Sequence, residues 1–147
     1  MNKLKFNEEF LYRVYTAAIY HDIAKEFSAH ELIKIAKEEL KIDYYPSWKT
    51  LHGPVGAWFL VQQYHFNDEA ILQAIAEHTI PLSKQTTWLS KIVYLADHLE
   101  PMREYDIGAN KFHYYWDLLQ QSIDTCFNQL YDDIRNLHEE SLPFVYP

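Results

Sequence analysis

Residues 17–25 read AAIYHDIAK, an apolar run that leads straight into an adjacent His21 and Asp22. Phe10, Val14, Ala17, Ala18 and His21 recur at spacings of three and four. That period predicts a helix from about Asn7 to Phe27 with His21 on its apolar face. Asn7 suits the N-cap, and Glu8 and Glu9 suit the positive end of the helix. A carboxylate placed among apolar residues costs several kcal/mol unless it is paired or bound to a metal. The pair therefore needs partners from elsewhere in the chain.

Working outward, the same helical period continues. Ser28 and Glu31 have capping-box spacing, followed by the stripe Leu32, Ile35, Ala36 and Leu40. The segment YYPSWKT (44–50) reads as a loop. Pro54 suits the first turn of a helix running to about Tyr64, which puts His52 at its entrance. Asn67 or Asp68 caps the next helix, whose inner face carries Ile71, Leu72, Ile75 and His78; Ile80-Pro81 ends it. Thr86 or Thr87 starts another, with Leu89, Ile92, Val93, Ala96 and Asp97 toward the core, and Pro101 stops it. A long last helix is expected from about Asn110, carrying Phe112, Trp116, Leu119, Ile123, Phe127, Leu130, Ile134 and Leu137. The tail SLPFVYP reads as irregular. No segment shows strand alternation, so the expected fold is all-α, in one domain over residues 1–147.

Composition narrows the function. The formal charge is −8, which argues against general nucleic-acid binding, because phosphates would be repelled overall. One small phosphorylated ligand remains compatible, since bound cations reverse the local field. No apolar run approaches the ~18 residues of a membrane span, and no signal peptide is evident. The single cysteine, Cys126, allows no internal disulfide and reads as a packed thiol. A cytoplasmic location, with no membrane partner, is the expectation.

His52, His78 and Asp97 each lie in or beside an apolar run, as His21 and Asp22 do. Three imidazoles and two carboxylates so placed form a ligand set for borderline and hard first-row metals. A carboxylate can bridge two ions, and two ions about 3.5–4 Å apart clamp the attacking and leaving oxygens of a phosphoryl displacement. The other histidines fit blander roles. His30, His65 and His138 read as solvated, and His98 points about 100° away from Asp97 around the helix. His113 reads as packing or interface. Tyr114, Tyr115 and Trp116 read as core or dimer contacts rather than base-stacking residues.

The order HD…H…H…D, within HDIAK, LHGPVGA, EHT and KIVYLADHLEPMR, resembles the HD-domain phosphohydrolases. Among them it looks like the bacterial YqeK family of symmetrical diadenosine tetraphosphate hydrolases, over roughly residues 12 to 106. The resemblance implies a helical bundle around a two-metal centre, iron first, with manganese, zinc or cobalt as alternatives. It implies a metal-dependent phosphohydrolase that splits a dinucleoside tetraphosphate into two nucleoside diphosphates. Asp22 would bridge the ions, His21 and Asp97 would hold one, and His52 and His78 the other. Lys25 and Arg103 would meet phosphate or the leaving group, and Gly53, Thr79 and Glu100 would shape the substrate pocket. A homodimer is a further implication. Two departures accompany the likeness. The family carries an additional ligand His on a helix well upstream of the HD pair, and residues 1–20 contain no His. The chain is thus N-terminally short relative to the family, with water, a partner chain or a missing helix as alternative fillers. The segment after His78 is Thr79-Ile80-Pro81 where the family often has TTG. Another nucleotide phosphohydrolase, such as a nucleotidase, and a partial nucleotide-binding domain are the alternative functions.

Overall fold

A computed structural model describes the backbone of residues 7–103 and 108–141 and the side chains of 7–103 and 108–137. Its described residues form seven α-helices and two short 3₁₀ turns: α1 (Glu8–Tyr20), α2 (Ala29–Glu38), a turn at Trp48–Leu51, α3 (His52–Tyr64), α4 (Glu69–Glu77), α5 (Trp88–His98), a turn at Pro101–Arg103, α6 (Ala109–Gln121) and α7 (Ile123–Ser141). No strand occurs among them, as the absence of alternation predicts. No helix of the described residues is long and apolar enough to cross a membrane.

The caps explain where most helices begin. Asn7 Oδ1 accepts from the Phe10 N–H, Asp68 from Ile71, and Thr87 from Ser90. Ser28 and Glu31 form the full reciprocal capping box. Each cap satisfies backbone donors that the first turn leaves orphaned.

Two helix boundaries differ from the periodic reading. α1 ends at Tyr20, not Phe27. Beyond it, Ile23, Lys25 and Phe27 donate their N–H groups three residues back, to Tyr20, Asp22 and Ala24, so residues 21–26 run as tight turns. Ala24 is fully buried with Leu32, Ala36, Leu51 and Val55. A Cβ on Gly56 of α3 would stand 3.2 Å from Ile23 Cγ2, so α3 packs directly on this turn. Tertiary contact here outweighs the helical period. The long last helix is in fact α6 and α7, broken at Ser122, whose backbone is extended (φ −165°, ψ 133°). The Ser122 hydroxyl accepts from the Thr125 N–H and starts α7. Apolar residues on both sides of Ser122 keep one period, so periodicity alone could not show the break. The expected irregular tail lies outside the described residues apart from its first position, Ser141, which ends α7.

Helices α1, α3, α4 and α5 share a core of Ala17, Leu60, Ile71, Ala74, Ile75, Leu89 and Val93. α6 and α7 pack on each other, and α7 packs on α5, through Tyr94, Leu95, Leu99, Tyr115, Cys126, Phe127 and Leu130. Cys126 is fully buried and its thiol donates to the Tyr115 carbonyl; burial pushes it up to about 11, which keeps it a thiol. The packing converges several helix ends: His21 follows α1, His52 opens α3, His78 follows α4, and Asp97 lies in the last turn of α5.

Candidate metal centre

The three imidazoles are set by one local device. His21 Nδ1 lies 2.7 Å from the Ala18 carbonyl, His52 Nδ1 2.5 Å from that of Lys49, and His78 Nδ1 2.6 Å from that of Ile75. Each partner lies three residues back, at a helix or turn end. A carbonyl only accepts, so each Nδ1 carries the proton and donates. The bare Nε2 of each ring is left to face the centre.

Asp22 stands in the middle. Its Oδ1 is 3.2 Å from His52 Nε2 and 3.3 Å from His78 Nε2. Its Oδ2 is 3.4 Å from His21 Nε2 and accepts from Lys25 Nζ at 2.9 Å. One carboxylate therefore touches all three imidazoles. Asp22 Oδ1 is buried and lacks a hydrogen bond. His52 Nε2 and His78 Nε2 lie 3.0 Å apart. With both protons committed at Nδ1, two nitrogen lone pairs and a carboxylate oxygen converge on one point. Their mutual repulsion is relieved by a cation shared among them. Ligand atoms about 2.0–2.2 Å from a single ion stand roughly 3–3.5 Å from one another, which matches these spacings. The donor set thus fits a metal.

Two groups of three ligands meet this geometric test among the described residues: Asp22, His52 and His78, and His21, His78 and Asp97. All five residues singled out from the sequence fall into them. His78, fully buried, belongs to both. The expected division gave His78 to one ion alone; the geometry puts it within reach of either.

Charge is balanced locally. Burial works to raise the Asp22 carboxyl, and the Lys25 ammonium on Oδ2 works against it, with the carboxyl held well below the usual carboxylate range. Burial also opposes ionisation of Asp97, yet His21, His98, His78 and Arg103 hold it at about 2. Asp97 in turn raises the His21 imidazole, against burial. Both carboxylates are therefore ionised and ready to ligate. Arg103 Nη2 donates to Asp97 Oδ1 at 3.4 Å. Lys25 and Arg103 each sit beside one acid of the centre with the side chain substantially exposed.

The remaining singled-out residues take varied places. The Thr79 hydroxyl donates to the Thr50 carbonyl at 2.7 Å, tying the entrance of α3 to the end of α4. Gly53 lies in the same contact: a Cβ there would stand 2.7 Å from Thr79 Oγ1 and 2.8 Å from the Ala76 carbonyl. Its missing side chain is what lets α3 and α4 approach closely enough for His52 to meet His78. Glu100 stands beside Arg103 at 4.0 Å. His98 belongs to neither ligand group; it donates to the Tyr94 carbonyl and lies over the Tyr94 ring, 4.0 Å between centroids. His30 and His65 are exposed, as expected. Tyr115 is buried with its hydroxyl on Asp133, and the Trp116 indole donates to the Leu99 carbonyl, so both are structural.

One residue escaped the sequence reading. Glu77, immediately before His78, is 3% exposed. Its carboxylate accepts from Gln73 Nε2 and from the Thr86 hydroxyl. The signal was an acid at the end of the apolar run 71–76, next to a ligand.

These helices and this ligand constellation define an HD domain, and the chain belongs to the HD domain family, whose model matches residues 2–102. Over 92 residues it is 50% identical to a Mycoplasma genitalium protein named probable nicotinate-nucleotide adenylyltransferase/Ap4A hydrolase, covering 63% of this chain and 26% of the relative. Over 94 residues it is 40% identical to the Bacillus subtilis bis(5'-nucleosyl)-tetraphosphatase, symmetrical, covering 60% of this chain and 48% of the relative. A Halalkalibacterium halodurans protein of the same name is 37% identical over 92 residues, with 60% and 48% covered. The chain spans about half the length of these tetraphosphatases and about a quarter of the Mycoplasma protein.

Proposed function

We propose that the chain is a two-metal phosphohydrolase that cleaves diadenosine tetraphosphate, or a close dinucleoside polyphosphate, symmetrically into two nucleoside diphosphates. The observation that carries this reading is the single Asp22 carboxylate in contact with His21, His52 and His78. The names of its relatives, tetraphosphatase and Ap4A hydrolase, support the substrate class. Asp22 would bridge the two ions. His21 and Asp97 would hold one and His52 the other, with His78 within reach of both. Iron is the first choice; manganese, zinc and cobalt suit the same His and Asp donors. When bound, the ions supply Lewis acidity and acidify the attacking water.

The chain's own residues would do the rest. The carbonyls of Ala18, Lys49 and Ile75 hold the imidazoles with Nε2 inward, so little reorganisation accompanies loading. Lys25 and Arg103, now paired with Asp22 and Asp97, would turn to phosphate oxygens once metal neutralises those acids, Arg103 as a fork. There they would stabilise charge developing on the phosphates. Gly53, Thr79 and Glu100 would shape the pocket, Gly53 and Thr79 by fixing the α3–α4 junction. A homodimer working in the cytoplasm completes the proposal.

A product assay on metal-loaded protein tests it. Diadenosine tetraphosphate should give ADP alone. AMP plus ATP would contradict symmetrical cleavage, and turnover of AMP in place of the dinucleotide would favour a nucleotidase.

A further inference from the structure

A cavity of about 380 Å³ is lined by residues adjacent in sequence to the candidate ligands, though by none of the ligands themselves. Thr50 and Leu51, which line it, immediately precede His52; Glu77 and Thr79, also in its wall, flank His78. Tyr94, one turn before Asp97, closes the α5 side. The volume falls in the range of small-molecule pockets, roughly 300–1,000 Å³.

The wall has a definite chemistry. Tyr44, Tyr45, Pro54, Ile80, Tyr131 and Ile134 make it aromatic and aliphatic. Tyr44 is 65% exposed, so its ring is available as a stacking surface. Set into this apolar lining is the buried carboxylate of Glu77, whose two hydrogen bonds come from the neutral groups of Gln73 and Thr86. A carboxylate oxygen has more acceptor sites than these two bonds use. Arg135 also lines the cavity, so the wall carries one acid and one cation on a mainly apolar surface, which favours a flat neutral ring with N–H donors for Glu77. The same ring can stack on tyrosine faces.

We infer that this cavity receives a purine base bearing an exocyclic amine, with the amine directed to Glu77. Assigning that base to the nucleotide whose phosphates lie at the metal centre rests on the proposed function. The polarity supports the arrangement: phosphate belongs beside Lys25, Arg103 and the metals, and the base belongs in the mainly apolar pocket. Nothing covalent happens in the cavity; it selects and orients.

Adenosine and inosine, which lack phosphate and so need no metal, are titrated calorimetrically into the metal-free chain. Adenosine should bind at least fivefold more tightly than inosine, because inosine presents a carbonyl where adenosine presents the amine. Ile134→Trp, which fills the cavity, and Tyr44→Ala, an exposed change that leaves folding intact, should each weaken adenosine fivefold or more. Glu77→Gln should remove the preference over inosine. No adenosine binding, or binding unchanged in both Ile134→Trp and Tyr44→Ala, overturns the inference. Cleavage of diadenosine tetraphosphate by a chain that fails this test leaves the proposed function standing without the pocket. Adenosine seated in the cavity of a chain that cleaves nothing does the reverse.

Discussion

The two ligand groups share His78 but are held by different forces. Asp22, His52 and His78 meet where α3 and α4 are pressed together at Gly53, and their facing atoms lie 3.0–3.3 Å apart. Packing fixes that group. His21 and Asp97 face each other at 3.6 Å, and Asp97 is also engaged by Arg103. Charge balance fixes this second group more than packing does. The difference teaches that a shared centre can have one half preorganised by the core and one half tuned by the surface.

Removing the shared residue should have the largest effect. His78→Ala should abolish metal retention in both groups and hydrolysis with it. It should also destabilise the fold by about 2–4 kcal/mol, as large-to-small changes at fully buried sites do. Metal content by elemental analysis and a denaturant melt check this; a variant that keeps one full equivalent would break the idea that both groups depend on His78. Removing one partner should separate the groups. His52→Ala should cost the packed group its ion and leave the other, so bound metal falls by half.

The packed half should be more sensitive to shape. Gly53→Ala places a methyl against Thr79 Oγ1 and a backbone carbonyl. It should destabilise by about 1–3 kcal/mol through overpacking. It should also lower metal affinity roughly 10–100-fold, the usual effect of disturbing what orients a ligand. Unchanged affinity would show that the α3–α4 contact does not set the His52–His78 spacing.

The charge-held half should also respond to pH, with a smaller effect. The Asp97 carboxyl sits at about 2 in the folded chain, below its ordinary value of 3.8. A depressed carboxylate contributes stability that is full above the unfolded value and lost as pH falls through the folded one. Stability of the metal-free chain should therefore decline from about pH 4 to pH 2. Asp97→Asn should flatten part of that decline; parallel profiles for the two proteins would contradict the assignment.

Most of the fold was legible because its signals are local. Ser28, Asp68 and Thr87 cap helices by hydrogen bonds to residues three positions on, and Pro54 marks the start of α3. The five candidate ligands drew notice in the sequence because polar groups stand out at the ends of apolar runs. What stayed hidden depends on contacts between distant segments. The end of α1 at Tyr20 is set by Gly56 and the core around Ala24. The break at Ser122 is silent in a pattern whose period continues across it. The role of Gly53 needs knowledge of how α3 meets α4, and the cavity beside Glu77 needs five separate segments to assemble. Sequence told which side chains were unusual; only packing told which of them touch.

In the proposed centre, Asp22 joins two metal sites through three imidazoles. Counting the ions per chain in protein purified without chelator tests it most directly. Two equivalents in the native chain, falling to one in either His21→Ala or His52→Ala, is the expected result. Substoichiometric metal that neither substitution changes would contradict it.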